Sequence, residues 1–218
     1  DRIYVGAHAG GMMVLHRKSG YIEYYNRHNS NLPSNNIYSI ISDGYGGLWV
    51  ASLEYLLHFD IDKRNFTIVD VDEDGHKLQQ YNRLLFCDSK KRIWAGGEMG
   101  ISVFNQVGTS LLRNTDFQIA SVLKQAFVNC FYETSSGYLW IGTRNGLFAL
   151  KESDKQFLQY TTENGLPSNV IYGILEDAYG RLWISTNQGL SCLNPESGKF
   201  RNFTIMDGLQ AVSYTHLR

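Results

Sequence analysis

The chain has 218 residues, 43% hydrophobic and 19% charged, which is enough apolar mass for a packed core and too apolar for a disordered chain. Lys plus Arg number 20 against 21 Asp plus Glu, and the resulting formal net charge of -1 argues against a nucleic-acid protein. No apolar run approaches the roughly 18 residues that cross a bilayer as a helix, and 3 Pro exclude collagen-like and Pro-rich linker classes.

Aromatics at 13% and 21 Gly, with so little Pro, predict many short strands joined by tight turns. The chain opens on Asp1 without an initiator Met or signal peptide, so it reads as a piece of something longer. Cys87, Cys130 and Cys192 form no CxxC and read as small buried hydrophobes rather than a disulfide framework.

Taken in chain order, one pattern recurs. Tyr4, Trp49, Trp94, Trp140 and Trp183 are spaced by 45, 45, 46 and 43 residues. Each follows an apolar residue (Ile3, Leu48, Ile93, Leu139, Leu182), and two places after each comes a small one (Gly6, Ala51, Gly96, Gly142, Ser185). Six places after stands Gly10, Gly100, Gly146 or Gly189, with Tyr55 the exception. Such self-similarity signals a repeat architecture. Each unit parses into four short strands, as in 37–41, 48–51, 56–60 and 65–69, or 171–175, 182–185, 190–194 and 199–203. Turn signals such as Asp43-Gly44-Tyr45-Gly46 and Asp177-Ala178-Tyr179-Gly180 separate them. Apolar residues on both sides of the first two strands predict burial on both sheet faces.

A four-stranded unit of this length, stacked on copies of itself, predicts an all-β β-propeller. The chain supplies about 4.75 blades, at approximately 1–26, 37–70, 82–114, 127–161 and 170–204, the first lacking its opening strand. These blades predict an incomplete arc of a larger, seven-bladed propeller spanning 1–210, with sticky first and last blades. Residues 211–218 read as a non-native tail. The small residue two after Trp is expected to leave room for a bulky ring of the neighbouring blade, and Tyr55 to distort the second hairpin of its copy.

Length varies between the fourth strand and the next first strand, at 26–36, 70–82, 114–127 and 161–170. This connection opens on the same face as the loop between strands two and three, so a rigid core carries one variable, binding-competent rim. The opposite face carries the turns at Asp43, Asp88, Ser135 and Asp177, where an Asp caps its own hairpin and no loop has calcium-ligand spacing. Two connections share Leu-Pro-Ser-Asn, at 32–35 and 166–169, with Leu expected to plug the blade junction and Asn to bond backbone. Asn65-Phe66-Thr67 and Asn202-Phe203-Thr204 match the N-glycosylation pattern, and the repeat itself accounts for both as occupants of one strand-four register.

The stretch 165–200, with 31–52 and 138–150, resembles the two-component regulator propeller repeat. The resemblance covers about residues 1–210. It implies the periplasmic sensor region of a membrane hybrid histidine kinase, signalling to transcription across the inner membrane. It also implies an oligosaccharide ligand, partners in the rest of the parent chain and in a homodimer, and membrane contact only through other parts of the parent. No cofactor or metal is expected, and no nucleic acid.

Candidate ligand-binding residues on the loops between strands two and three are His8, Glu54, Glu98, Arg144, Asn145, Asn187 and Gln188. On the other connections they are Asn35, His76, Tyr81 and Asn169. Planar amides, guanidinium and aromatic platforms suit carbohydrate. A glycosidase or lyase would need a cluster of carboxylates, which does not stand out here, and catalytic residues are therefore assigned to none. A protein-interaction propeller is the other alternative, though WD and kelch signatures are missing.

Overall fold

The computed structural model describes residues 1–52, 54–69, 82–114, 121–151 and 156–209. They fall into two compact units, Asp1–Gln125 and Ala126–Arg218, each described by itself. Among the described residues there are 19 strands and no α-helix. Among these described residues no helix is long and apolar enough to cross a membrane.

The first unit holds three antiparallel sheets. Blade 1 is β1 (Arg2–Ala7), β2 (Gly11–His16) and β3 (Ile22–Tyr25). Blade 2 is β4 (Ile37–Ser42), β5 (Gly47–Ser52), β6 (Leu56–Asp60) and β7 (Asn65–Ile68). Blade 3 is β8 (Asn82–Cys87), β9 (Arg92–Gly97), β10 (Gly100–Val107) and β11 (Ser110–Arg113). The second unit holds blade 4, β12 (Val128–Glu133), β13 (Leu139–Thr143), β14 (Gly146–Lys151) and β15 (Gln156–Tyr160). Its other sheet is blade 5, β16 (Ile171–Glu176), β17 (Leu182–Thr186), β18 (Gly189–Asn194) and β19 (Lys199–Phe203). In every sheet the spatial order is the sequence order, and the three-stranded blade 1 lacks the strand that opens the others. These are the β-propeller blades that the repeat predicts.

The cores lie between blades. Tyr25, Leu32, Ile37, Val50 and Phe59 join blades 1 and 2. Trp49, Leu56, Leu85 and Phe104 join blades 2 and 3, and Trp140, Leu147, Ile171 and Ile184 join blades 4 and 5. A strand packed on both faces cannot alternate polar and apolar residues, which is why β5 and β13 are buried from end to end and carry one polar side chain each, the terminal Ser52 and Thr143. Trp49, Trp94 and Trp140 are 0–1% exposed. Burying roughly 200 Å² of aromatic surface contributes at most about 5 kcal/mol each. Trp183 is only half-buried. On the last blade Leu175 is 68% exposed, and on the first Ile3 is 46% exposed, so these two sheets each carry an open apolar flank.

The small residue two after the aromatic makes room for an aliphatic side chain rather than a ring. A Cβ on Gly6 would stand 2.6 Å from Ile37 Cγ2, and one on Gly142 would stand 2.7 Å from Ile171 Cγ2. Ile37 and Ile171 open the first strand of the following blade, so the small residue sets how closely two sheets approach.

The glycine of the hairpin between strands two and three has two jobs. Gly100, Gly146 and Gly189 have φ of 98°, 123° and 104°. A Cβ there would also collide with the carbonyl that ends, or follows, the outer strand: Lys124 O, Tyr160 O and Phe203 O respectively. In blade 1 the equivalent is Gly11 (φ 80°), not Gly10. Ala7 pairs with Gly11, whereas Thr143 pairs with Gly146, so this hairpin is one residue longer and length variation is not confined to the rim connections. At Tyr55 the hairpin keeps its closing bonds, Ser52 N–H and Ser52 Oγ both donating to Tyr55 O at 2.9 and 3.0 Å. Its ladder stops one pair short, at Ala51–Leu56.

The opposite ends of the sheets are tied by the turn aspartates. Asp88 accepts from the backbone N–H of Lys90 and Arg92 (3.0 and 2.8 Å), from Arg92 Nε (2.7 Å) and from the indole N–H of Trp94 (2.8 Å). Asp177 repeats this with Tyr179, Arg181 and Trp183. The Asp thus caps its turn, as expected, and also anchors the Trp six residues on. In blade 2 Gly47 stands where the Arg would be, and the imidazole of His58 takes that space, donating to Asp43 Oδ2 at 2.7 Å. The Trp49 indole turns instead to Gln106 Oε1 of blade 3 (3.1 Å). In blade 4 the register position is Thr134, not Ser135, and the buried Trp140 Nε1 has no acceptor. Ser135 meanwhile donates through N–H and Oγ to Glu176 of blade 5 (3.0 and 3.1 Å).

Partial burial pushes the Asp177 carboxyl up, but the Trp183 indole, the Arg181 N–H and guanidinium and the Tyr179 N–H outweigh it and hold the group down to about 2. Burial also opposes the lowering at Asp43, where bonds from His58, Tyr45 and Gly47 prevail. A carboxylate depressed in the folded state contributes stability above its unfolded pKa, about 3.9, and loses it as pH falls through the folded value. The thermal midpoint of the second unit is therefore expected to fall between about pH 4 and pH 2, and to fall less steeply in Asp177→Asn. Parallel wild-type and variant curves would remove Asp177 from the account.

Candidate functional site

The ends that bear the hairpins between strands two and three also bear the start of every first strand. In each four-stranded blade that start is irregular. The ladder slips between Ile37 and Ser39, Asn82 and Leu84, Val128 and Cys130, and Ile171 and Gly173. A bulge frees the extra residue from the pleat and re-aims it. The residues so released are Tyr38, Arg83, Asn129 and Tyr172, all eleven places before their Trp. Sequence reasoning missed them. The available signal was a polar or aromatic residue recurring at one position of an otherwise apolar strand.

In the first unit this brings predicted and missed residues together. The His8 and Tyr38 rings lie 6.3 Å apart. The Arg83 guanidinium sits 5.3 Å from the Tyr38 ring centroid and pairs with Glu98. A cation over an aromatic face is attracted by its quadrupole. Arg83 Nε is buried and has no partner. The result is an aromatic and ionic row, His8–Tyr38–Arg83–Glu98, crossing three blades. Glu54 is exposed on the intervening hairpin.

In the second unit Arg144 stacks on Phe127 at 3.6 Å and donates its backbone N–H to Phe127 O at 3.1 Å. Asn145 and Gln188 are exposed, with backbone N–H groups tied to Thr143 and Thr186 hydroxyls (2.9 and 3.1 Å). Tyr172 donates its hydroxyl to Asn187 Oδ1 (2.6 Å), and Asn129 Nδ2 donates to Ile171 O (2.7 Å).

Two predicted residues are used structurally. Asn35 Oδ1 accepts from Arg27 N–H and its carbonyl from Gly11 N–H. Asn169 does the same with Thr162 and Gly146. With Leu32 and Leu166 buried beside them, the Leu-Pro-Ser-Asn segments lock one blade to the next. Tyr81 and His76, like residues 211–218, lie outside the described residues. The two glycosylation-like asparagines are not in one register: Asn65 pairs with Asp60, Asn202 with Ser191.

Among the described residues no three His, Cys, Asp or Glu side chains are grouped to hold a metal ion. Cys87, Cys130 and Cys192 are half-buried and joined in no disulfide, and burial pushes the Cys130 thiol up to about 12. A shallow hollow of about 230 Å³ lined by Asp1, Arg2, His16, Lys18 and Ser19 lies at the far end of blade 1 and touches none of these groups.

Three segments, 31–54, 123–145 and 165–188, match the family model described as two component regulator propeller. No curated protein matches the chain. Among solved structures, the extracellular domain of a putative one component system from B. thetaiotaomicron is 19% identical with a TM-score of 0.74, covering 97% of this chain and 30% of its own. A second structure, titled as the extracellular domain of a putative hybrid two component system of that organism, is 20% identical with a TM-score of 0.73, covering 93% and 26%. The chain thus spans under a third of either. The virginiamycin B lyase of Staphylococcus aureus is 15% identical with a TM-score of 0.67, covering 90% and 64%. At these identities the structures share the fold.

Proposed function

This chain carries two-component regulator propeller repeats, and on that premise we propose that it is part of the extracytoplasmic sensor region of a two-component histidine kinase, on the periplasmic side of the inner membrane, where it recognises an oligosaccharide. The observation that carries this reading is the division of labour between the two ends of each blade. At one end, in blades 3 and 5, the Asp, Arg and Trp side chains satisfy each other. At the other, a bulge at the start of each first strand sets an aromatic or polar side chain beside the hairpin between strands two and three. Rings, amides and guanidinium groups held on rigid strands are what sugar recognition needs, since hydroxyls take paired hydrogen bonds and sugar faces stack on rings. Binding of ligand across neighbouring blades would favour one arrangement of sheets, and a shift of that population is the signal passed on.

The test is a glycan array of neutral and acidic oligosaccharides probed with the purified chain, followed by titration of Tyr38→Ala and Tyr172→Ala. Binding of a defined oligosaccharide, weakened about tenfold by the change in the unit that holds it, is expected. Silence across the array, with a protein partner captured at the same end, would replace sensing of glycans by a scaffolding role. Turnover of a labelled oligosaccharide would replace it by catalysis.

A further inference from the structure

The two bulge-lined ends differ in charge, and resting on the sensor reading above, we infer that the end of the second unit is a subsite for the carboxylate of an acidic sugar, a uronate-containing oligosaccharide. In the first unit the cation is already neutralised, Arg83 being paired with Glu98. In the second unit Arg144 is exposed, and among the described residues no carboxylate pairs with it. Its guanidinium is nevertheless held, by the Phe127 face at 3.6 Å and by the backbone bond to Phe127 O. A stacked guanidinium keeps its edge and its N–H fork free, which is the geometry a carboxylate takes bidentately.

The neighbouring groups are neutral. Asn129, Asn145, Tyr172, Asn187 and Gln188 offer amide and phenol partners for hydroxyls, and Tyr172 and Asn187 are already oriented by their 2.6 Å bond. Among the described residues of the second unit, the acidic ones at this end are Glu163 and Asp207. Both follow outer strands, β15 and β19. Gly165, two residues after Glu163, has its carbonyl bonded to Asn202 on β19, and Asp207 is engaged by Thr204 N–H at 2.8 Å. Arg144 leans instead to the inner edge, against the residue that precedes β12. Arg144 follows β13, the second strand of its blade, so two strand spacings, about 10 Å, separate it from the outer strand. That exceeds the screening length of about 8 Å at physiological salt, so the rim carboxylates do not cancel the Arg144 charge where a ligand would meet it.

The test titrates the full 218-residue chain with oligogalacturonate, alginate and chondroitin fragments and, in parallel, with neutral galactan and cellulose oligosaccharides. An acidic oligosaccharide is expected to bind, about tenfold more weakly in Arg144→Gln, less weakened in Arg144→Lys, and progressively more weakly with added salt. Lys199→Gln, which removes an equal charge at the opposite end, should leave binding unchanged. Unchanged thermal midpoints keep the comparison valid, because Arg144 is exposed. Binding of neutral oligosaccharides alone, indifferent to Arg144→Gln, would overturn the acidic subsite and leave the sensor reading standing. Silence towards every glycan would overturn both.

Discussion

Replacing Asp88 by Ala is expected to destabilise the first unit by about 3–5 kcal/mol, the range for removing one member of a buried charged pair. Asp88 is 3% exposed, and its two oxygens serve two backbone N–H groups, the Arg92 guanidinium and the Trp94 indole. Truncation strands all of these donors at once, and a buried donor without a partner keeps its full desolvation cost. Asn should lose less, since its carbonyl oxygen can serve one of the two sets. Urea unfolding followed by tryptophan fluorescence reads the difference. A loss of about 1 kcal/mol or less would mean that the turn, rather than the Asp network, holds the end of the blade.

The second large effect is expected at Gly142. Gly142→Val places a branched side chain where even a Cβ meets Ile171 Cγ2 at 2.7 Å and also meets Cys130 Sγ. The backbone of Gly142 lies outside the positive-φ set, so the cost is spatial rather than conformational. Overpacking of this kind costs about 1–3 kcal/mol, and more where backbone must move. Here two sheets would have to part, so a loss of about 3 kcal/mol is expected in the second unit. The discriminating measurement is a double-mutant cycle with Ile171→Ala. Contact predicts that trimming Ile171 recovers part of the Gly142→Val loss. Additive losses would mean that Gly142 does not set the blade spacing.

The spacing of Tyr4 and the four Trp, with the apolar residues around them, was enough to lay out strands such as Leu56–Asp60 and Lys199–Phe203 to the residue. The Leu-Pro-Ser-Asn segments were legible for the same reason: a plug and a backbone-bonding amide are local chemistry. The candidate site was legible only in part. His8, Glu98, Arg144, Asn145, Asn187 and Gln188 stand out because hairpin residues between repeats are variable and polar. Tyr38, Arg83, Asn129 and Tyr172 do not stand out, because a bulge depends on a slip against the partner strand, and that partner lies ten or more residues away. The same blindness placed the first blade's hairpin glycine at Gly10 rather than Gly11.

What the chain determined unaided is its periodicity: the burial pattern within each strand, the turn chemistry, and hence the blade. Those depend on neighbours in sequence and on the twofold alternation of side chains. What only the tertiary structure decided is which partner satisfies each buried group. Trp94 finds its own turn's Asp, Trp49 finds Gln106 of the next blade, and Trp140 finds no acceptor. Likewise Arg83 is neutralised by Glu98 while Arg144 is left stacked and unpaired. Hydrogen bonds and ion pairs reach only a few ångströms, so the charge a ligand would meet is set by packing between strands and blades, which spacing along the chain does not encode.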